Sequence, residues 1–161
     1  MTLADDFKQA LASWASGVSV VTTSADGLLY GLTVSSFSSL SLDPPLVLVC
    51  LHNENRMPLM IEKAGGFAVS ILSRGQEDAS RYFAKPGREP TPGFTEIGGE
   101  WTGSGLPVVA GALAYIACRL HHTLPQGDHT IIVGEVVEAV TREGPEPLLY
   151  WRRGYRGLDP P

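Results

Sequence analysis

Two long strand-like runs near the C-terminal end, Ala112–Leu124 and Thr130–Thr141, are separated only by Pro125-Gln126-Gly127-Asp128. Pro, Gly and Asp between two such runs predict a turn, and the pair predicts a long antiparallel hairpin. A second turn signal, Ala25-Asp26-Gly27, separates the β-branched run Val18–Thr23 from Leu28–Val34. Leu46–His52 is a third region of strand, and its unbroken apolar character predicts burial on both faces. Phe67–Leu72 and a short Pro147–Trp151 complete the strands. Helices are expected at Ala4–Ala15, with Phe7, Leu11 and Trp14 on one apolar side and Gly17 as terminator, and at Arg56–Ala64, ended by Gly65-Gly66. A third is expected at Gln76–Ala84, with Ala79, Tyr82 and Phe83 as contacts. From Lys85 to Gly111 the chain is rich in Pro and Gly and has little periodicity, which predicts a functional loop or a subunit contact. Phe94–Ile97 or Val108–Val109 are its candidates for docking on the sheet. Strands outnumber helices and do not alternate with them, so a doubly wound parallel sheet is disfavoured. A small closed or half-open antiparallel barrel with peripheral helices fits, as one domain over residues 1–161.

Composition excludes several classes of function. Apolar residues make up 43% and charged residues 18% of 161, which is a globular balance with enough material for one core. The net charge of −5 gives no support to nucleic-acid binding, which favours a basic face. No apolar run approaches a membrane span, and two early acids with no basic segment argue against a secretory signal. The expected location is therefore cytoplasmic, and Cys50 and Cys118, each in an apolar run, read as buried free thiols. They are too few for a metal cluster, and adjacent His121 and His122 on a strand point to opposite faces, so no metal site is expected.

The segment Gly31–Leu51, GLTVSSFSSLSLDPPLVLVCL, concentrates hydroxyls at Thr33, Ser35, Ser36, Ser38, Ser39 and Ser41 ahead of a Pro-Pro bend and an apolar run. Such a segment is either a Ser-rich surface loop or a ligand shelf, whose N–H and O–H donors hold a phosphate or the polar edge of a ring. The polar loop His52–Asn55 just before a helix start offers free N–H groups and partial positive charge, with Arg56 able to add a charged contact to a phosphate.

The run TVSSFSSLSLDPPLVLVCL, the later GGFAVSIL and the hairpin QGDHTIIVGEV resemble, in order and spacing, the short-chain flavin reductase family. The resemblance extends from Phe7 to Leu158. It implies a mainly β, antiparallel split β-barrel of the Greek-key, FMN-binding type with short peripheral helices. It implies an NAD(P)H:flavin oxidoreductase that carries a hydride from the nicotinamide to FMN or FAD, as the reductase component supplying a partner monooxygenase. A homodimer with flavin near the interface is implied as well. A flavin-binding barrel without turnover is the alternative within the same fold.

Carried onto this chain, the resemblance sets Thr33, Val34, Ser35, Ser36 and Phe37 along the flavin ring edge and ribityl chain, with Cys50 and Leu51 on the strand beside it. Asn53, Asn55 and Arg56 fall in the phosphate loop, where the family often has Ser or Thr and this chain has Asn. Gly127-Asp128-His129 matches a Gly-Asp-His element of the family, which implies His129 near flavin and nicotinamide as the catalytic candidate. On its residues alone the same element is a hairpin flank whose Asp128 caps the turn. Tyr155 belongs to an aromatic-basic cluster, Tyr150–Arg156, that suits either a dinucleotide site or a dimer-facing tail. No GxGxxG fingerprint is present, so Rossmann-type dinucleotide binding is not expected.

Overall fold

The computed structural model describes residues 1–144 and 146–158. In chain order it contains α1 (Leu3–Ala12), β1 (Ser16–Gly17), β2 (Ser19–Ala25), β3 (Leu28–Val34), β4 (Ser38–Leu42), β5 (Pro45–His52), α2 (Met57–Ala64) and β6 (Gly66–Ile71). There follow α3 (Glu77–Ala84), β7 (Gly99–Trp101), β8 (Pro107–Val109), β9 (Ala114–Gln126), β10 (His129–Thr141), β11 (Leu149–Trp151) and β12 (Gly154–Arg156). Seven strands form one antiparallel sheet in the order β3-β2-β6-β9-β10-β5-β4. Its two edges, β3 and β4, are consecutive in the chain and joined only by Ser35–Phe37. The sheet curls around a common interior: Val34 of one edge shares a buried cluster with Val47, Val49 and Leu51 of β5, and with Phe67, Cys118 and Ile132 between them. This is the expected mainly β split barrel, open along the β3–β4 seam.

The predicted hairpin of β9 and β10 is the longest pairing, and its turn is tighter than expected: β9 runs on through Pro125-Gln126, leaving Gly127-Asp128 as the turn. The two strands cross closely at Gly134, where an added Cβ would stand 2.6 Å from both Cys118 Cβ and the Phe67 ring. The β2–β3 turn forms at Asp26-Gly27, both with positive φ, as a primed hairpin turn requires. α2 ends where Gly65 adopts φ 73°.

Four expectations need correction. β5 is not buried on both faces; it alternates, with Val47, Val49 and Leu51 inside and Leu46, Leu48 and Cys50 partly covered. The sheet is curled with one inner face, so the apolar run does not imply a two-sided core. The hydroxyl-rich segment is not all loop: Ser38–Leu42 pairs with β5 as an edge strand. The Lys85–Gly111 stretch holds the β7–β8 hairpin, and both candidate docking segments dock. Val108 and Val109 are buried, and Phe94 and Ile97 pack against the second cluster. Buried hydroxyls fasten this hairpin, Thr22 Oγ1 donating to Pro107 O and Ser70 Oγ accepting from Val109 N. Finally, α1 stops at Ala12, Ser16–Gly17 pairs with β11, and the apolar stripe of α1 and the turn after it is open among the described residues: Phe7 is 61% exposed and Trp14 75%.

No helix among the described residues is long and apolar enough to cross a membrane. Both cysteines are free; Cys118 is buried, which pushes its thiol up to about 12, while Cys50 is only half-buried.

Candidate active site

The seam between β3 and β4 is the chemically unusual part of the barrel. The amides of Ser35, Ser36 and Phe37 have no backbone acceptor among the described residues, because neither edge strand has a neighbour there. Ser36 replaces the missing ladder with its side chain: Oγ donates to Cys50 O at 2.8 Å and accepts from Cys50 N at 3.1 Å. Thr33 Oγ1 is also spent, donating to Ser80 O at 2.7 Å. Of the expected hydroxyl shelf, Ser35 alone combines a free hydroxyl with a position between two recesses. One, of ≈ 170 Å³, lies between Thr33–Ser35, α3 and the C-terminal hairpin, bringing Thr33, Val34 and Ser35 together with Tyr155. The other, of ≈ 380 Å³, lies between Ser35, Phe37 and Trp14.

Tyr155 reaches the first recess because β11 and β12 fold back on α3. Its hydroxyl is 2.7 Å from Ser80 Oγ, the Arg81 guanidinium sits 4.8 Å over its ring, and Tyr150 meets it edge-on. Leu51 points into the core and is 1% exposed, so it offers the seam only backbone.

The hairpin end of the barrel forms a second cluster. The β5–β10 register sets Cys50 opposite Ile131, Leu51 opposite Thr130 and His52 opposite His129. His129 therefore lies two residues along the sheet and one strand across from Cys50, about 8 Å, and lines neither recess. Asp128 does not merely cap the turn. Its Oδ1 lies 2.6 Å from His129 Nδ1, and its Oδ2 3.9 Å from His52 Nε2. The hydrogen bond from His129 holds the Asp128 carboxyl below the usual range, with the charges of His129 and His52 acting the same way. With Nδ1 engaged by Asp128, Nε2 has no hydrogen-bond partner among the described residues.

The loop after β5 is tied to this end. Asn53 N donates to Asp128 O, Asn53 Nδ2 donates to Gly127 O, and Asn53 Oδ1 accepts from Thr130 Oγ1 at 2.8 Å. Asn55 Oδ1 accepts from Met57 N, the first amide of α2, at 2.9 Å. Arg56, expected to add a charged contact to a phosphate, is paired with Glu89 at 2.7 Å in an exposed contact. Sequence reasoning missed Thr130 and Ser80, and it had His52 and Tyr150 only as members of the polar loop and the aromatic-basic cluster; strand register and the returning hairpin bring them in from a distance. Among the described residues no group of His, Cys, Asp and Glu is arranged to hold a metal ion.

Three consecutive amides and one hydroxyl without a partner among the described residues, next to two partly apolar recesses, suit a flat heterocycle with a polar edge, which is the chemistry of a flavin. The chain belongs to the flavin reductase like domain family, which matches residues 11–159. It is 44% identical over 152 residues to the reductase component of 4-hydroxyphenylacetate 3-monooxygenase from Thermus thermophilus, covering 94% of this chain and 95% of that protein. It is 41% identical over 155 residues to a flavin reductase (NADH) from Kitasatospora aureofaciens, covering 94% of this chain and 80% of that protein. Among solved structures, the NADH:FAD oxidoreductase SgcE6 of Streptomyces globisporus C-1027, in complex with NAD and FAD fragments, superposes with a TM-score of 0.90 at 33% identity. That match covers 98% of this chain and 94% of SgcE6.

Proposed function

We propose that this protein is an NADH-dependent flavin reductase that supplies reduced FMN or FAD to a separate oxygenase component. The family match and the names of its relatives support the activity. The observation that supports this placement of the site is the row of amides at Ser35, Ser36 and Phe37, without a backbone acceptor among the described residues, beside two recesses. The flavin supplies the two-electron acceptor for the hydride that NADH gives up. The Ser35–Phe37 amides and Ser35 Oγ hold its polar edge and stabilise negative charge growing there. Ser36 and Thr33 keep that edge rigid by their bonds to Cys50 and Ser80. The loop Asn53–Arg56 receives the flavin phosphate, with Arg56 turning from its exposed partner Glu89. His129, oriented by Asp128, positions the nicotinamide so that the two rings meet at reacting distance.

We further propose that a second copy covers the apolar stripe of α1, making a homodimer, and that Trp14 then completes the larger recess from a settled position. A cytoplasmic location suits an NADH-consuming chain with two free cysteines. The decisive experiment follows loss of NADH absorbance with FMN, FAD and riboflavin as acceptors. Flavin-dependent oxidation well above the uncatalysed background is expected. Flavin that binds but is bleached only by a chemical reductant would identify a binder without turnover, and the proposal would fail.

A further inference from the structure

Asp128 is shared by two imidazoles. His129 Nδ1 lies 2.6 Å from its Oδ1, and His52 Nε2 lies 3.9 Å from its Oδ2. The β5–β10 register puts the two histidines directly opposite each other, and their rings meet edge to face with centroids 5.1 Å apart. Among the described residues neither imidazole has another charged partner within ion-pair distance. Gln126, opposite His129 on β9, is uncharged, and Arg56 and Glu89 beyond the loop are paired with each other. The loop itself contributes the Glu54 amide, which donates to His52 Nδ1 at 3.2 Å.

That amide fixes where neutral His52 carries its proton. Nδ1 accepts, so the ring proton is on Nε2, facing Asp128. A second proton has only Nδ1 to go to, where it meets the Glu54 N–H. Protonation therefore breaks the loop bond and leaves the ring to the carboxylate. His129 holds the nearer oxygen, so two rings contest one counter-charge and each cation opposes the other. Both rings are close to half exposed. Two unit charges about 5 Å apart in water displace each other's titration by about half a pH unit.

The charge on His129 bears on the proposed reaction. Hydride transfer takes both electrons of a C–H bond from the nicotinamide to the flavin, so positive charge grows on the ring that His129 positions. A neutral His129 accepts that charge beside it, and a cationic one opposes it. We propose that His52 is a positioning residue: through Asp128 it keeps His129 neutral, and so keeps hydride transfer going further into the acid range than His129 alone would. This rests on placing His129 at the nicotinamide. His52 itself lines neither recess.

Two variants test it in opposite directions. His52→Phe keeps a ring against His129 and removes its proton, whereas His52→Lys makes the opposing cation permanent. The His129 imidazole is followed by ¹⁵N–¹H correlation in the full chain between about pH 5 and 8, with His129→Gln to assign its signals. Its protonation should occur about half a pH unit higher in His52→Phe than in wild type and lower in His52→Lys. The three proteins should draw together in about 1 M salt, which screens exposed charges. The acid limb of kcat with saturating NADH and FMN should move in the same two directions, while KM for FMN stays within about two-fold. A His129 transition at one pH in all three proteins overturns the proposal. So does a displaced transition with an unmoved kcat profile, which would place the fault in setting His129 at the nicotinamide rather than in its coupling to His52. A kcat lowered equally at every pH, with lower urea midpoints in both variants, would reduce His52 to a structural role and also overturn it.

Discussion

Ser36 uses one hydroxyl for two bonds to Cys50, and among the described residues no other hydrogen bond ties Ser35–Phe37 to β5, although Phe37 packs on the cluster that holds Val47, Val49 and Leu51. Ser36→Ala leaves the Cys50 amide and carbonyl without their partner, so a stability loss of about 1–2 kcal/mol is expected, read as a lower urea midpoint. The same variant weakens flavin binding, because the amides of the seam lose their fixed spacing. His129 is expected to behave in the opposite sense. Half-exposed and bonded to Asp128, it contributes little to folding, so His129→Ala keeps the wild-type midpoint while kcat falls about ten-fold or more. Flavin Kd changes less than kcat if His129 serves the nicotinamide. Much of this residue set is visible in the linear chain as TVSSF and Gly-Asp-His. What each side chain bonds to is not. Tyr155 meets Ser80 from 75 positions away and Arg56 meets Glu89 from 33. Such pairings are set by how elements pack, and neither local spacing nor residue type carries them.

At the scale of elements, the periodicities and turn residues predict the principal strands and all three helices because those signals are local. They mislead wherever tertiary neighbours decide. Ser38–Leu42 reads as loop by composition, yet β5 offers it a free edge to pair with. The β7–β8 hairpin has too short a pattern to announce itself, and it is held by Thr22 and Ser70 rather than by its own propensity. The turn joining β7 and β8 has an anchor of its own on β10. Glu138 accepts from the Tyr115 hydroxyl at 2.7 Å and from the amides of Ser104 and Gly103. The Tyr115 bond, with those amides, holds its carboxyl below the usual glutamate range. A carboxyl lowered in the folded state adds stability above its unfolded value and loses it as pH falls through the folded one. Stability should therefore decline as pH falls below the usual glutamate range. Glu138→Gln should flatten that decline, as thermal unfolding measured across the range will show.

For the whole molecule, the proposed homodimer rests on the exposed apolar stripe of α1. Leu3, Phe7, Leu11 and Trp14 are each more than half exposed, an arrangement that water does not favour and a second apolar surface does. Phe7→Asp with Leu11→Asp is expected to halve the mass seen by sedimentation equilibrium and to raise KM for NADH, since Trp14 loses its setting. Unchanged mass would return α1 to the role of a solvent-facing helix. The open seam has a consequence of its own. A barrel whose two edges are bridged by three residues at one end behaves like a spring clip, able to breathe there without breaking a single rung elsewhere. Deuterium uptake at the β4 amides should outpace that at β2, and saturating flavin should slow it, so a molecule that must be loaded and handed on would need no door other than the gap it closes by arriving.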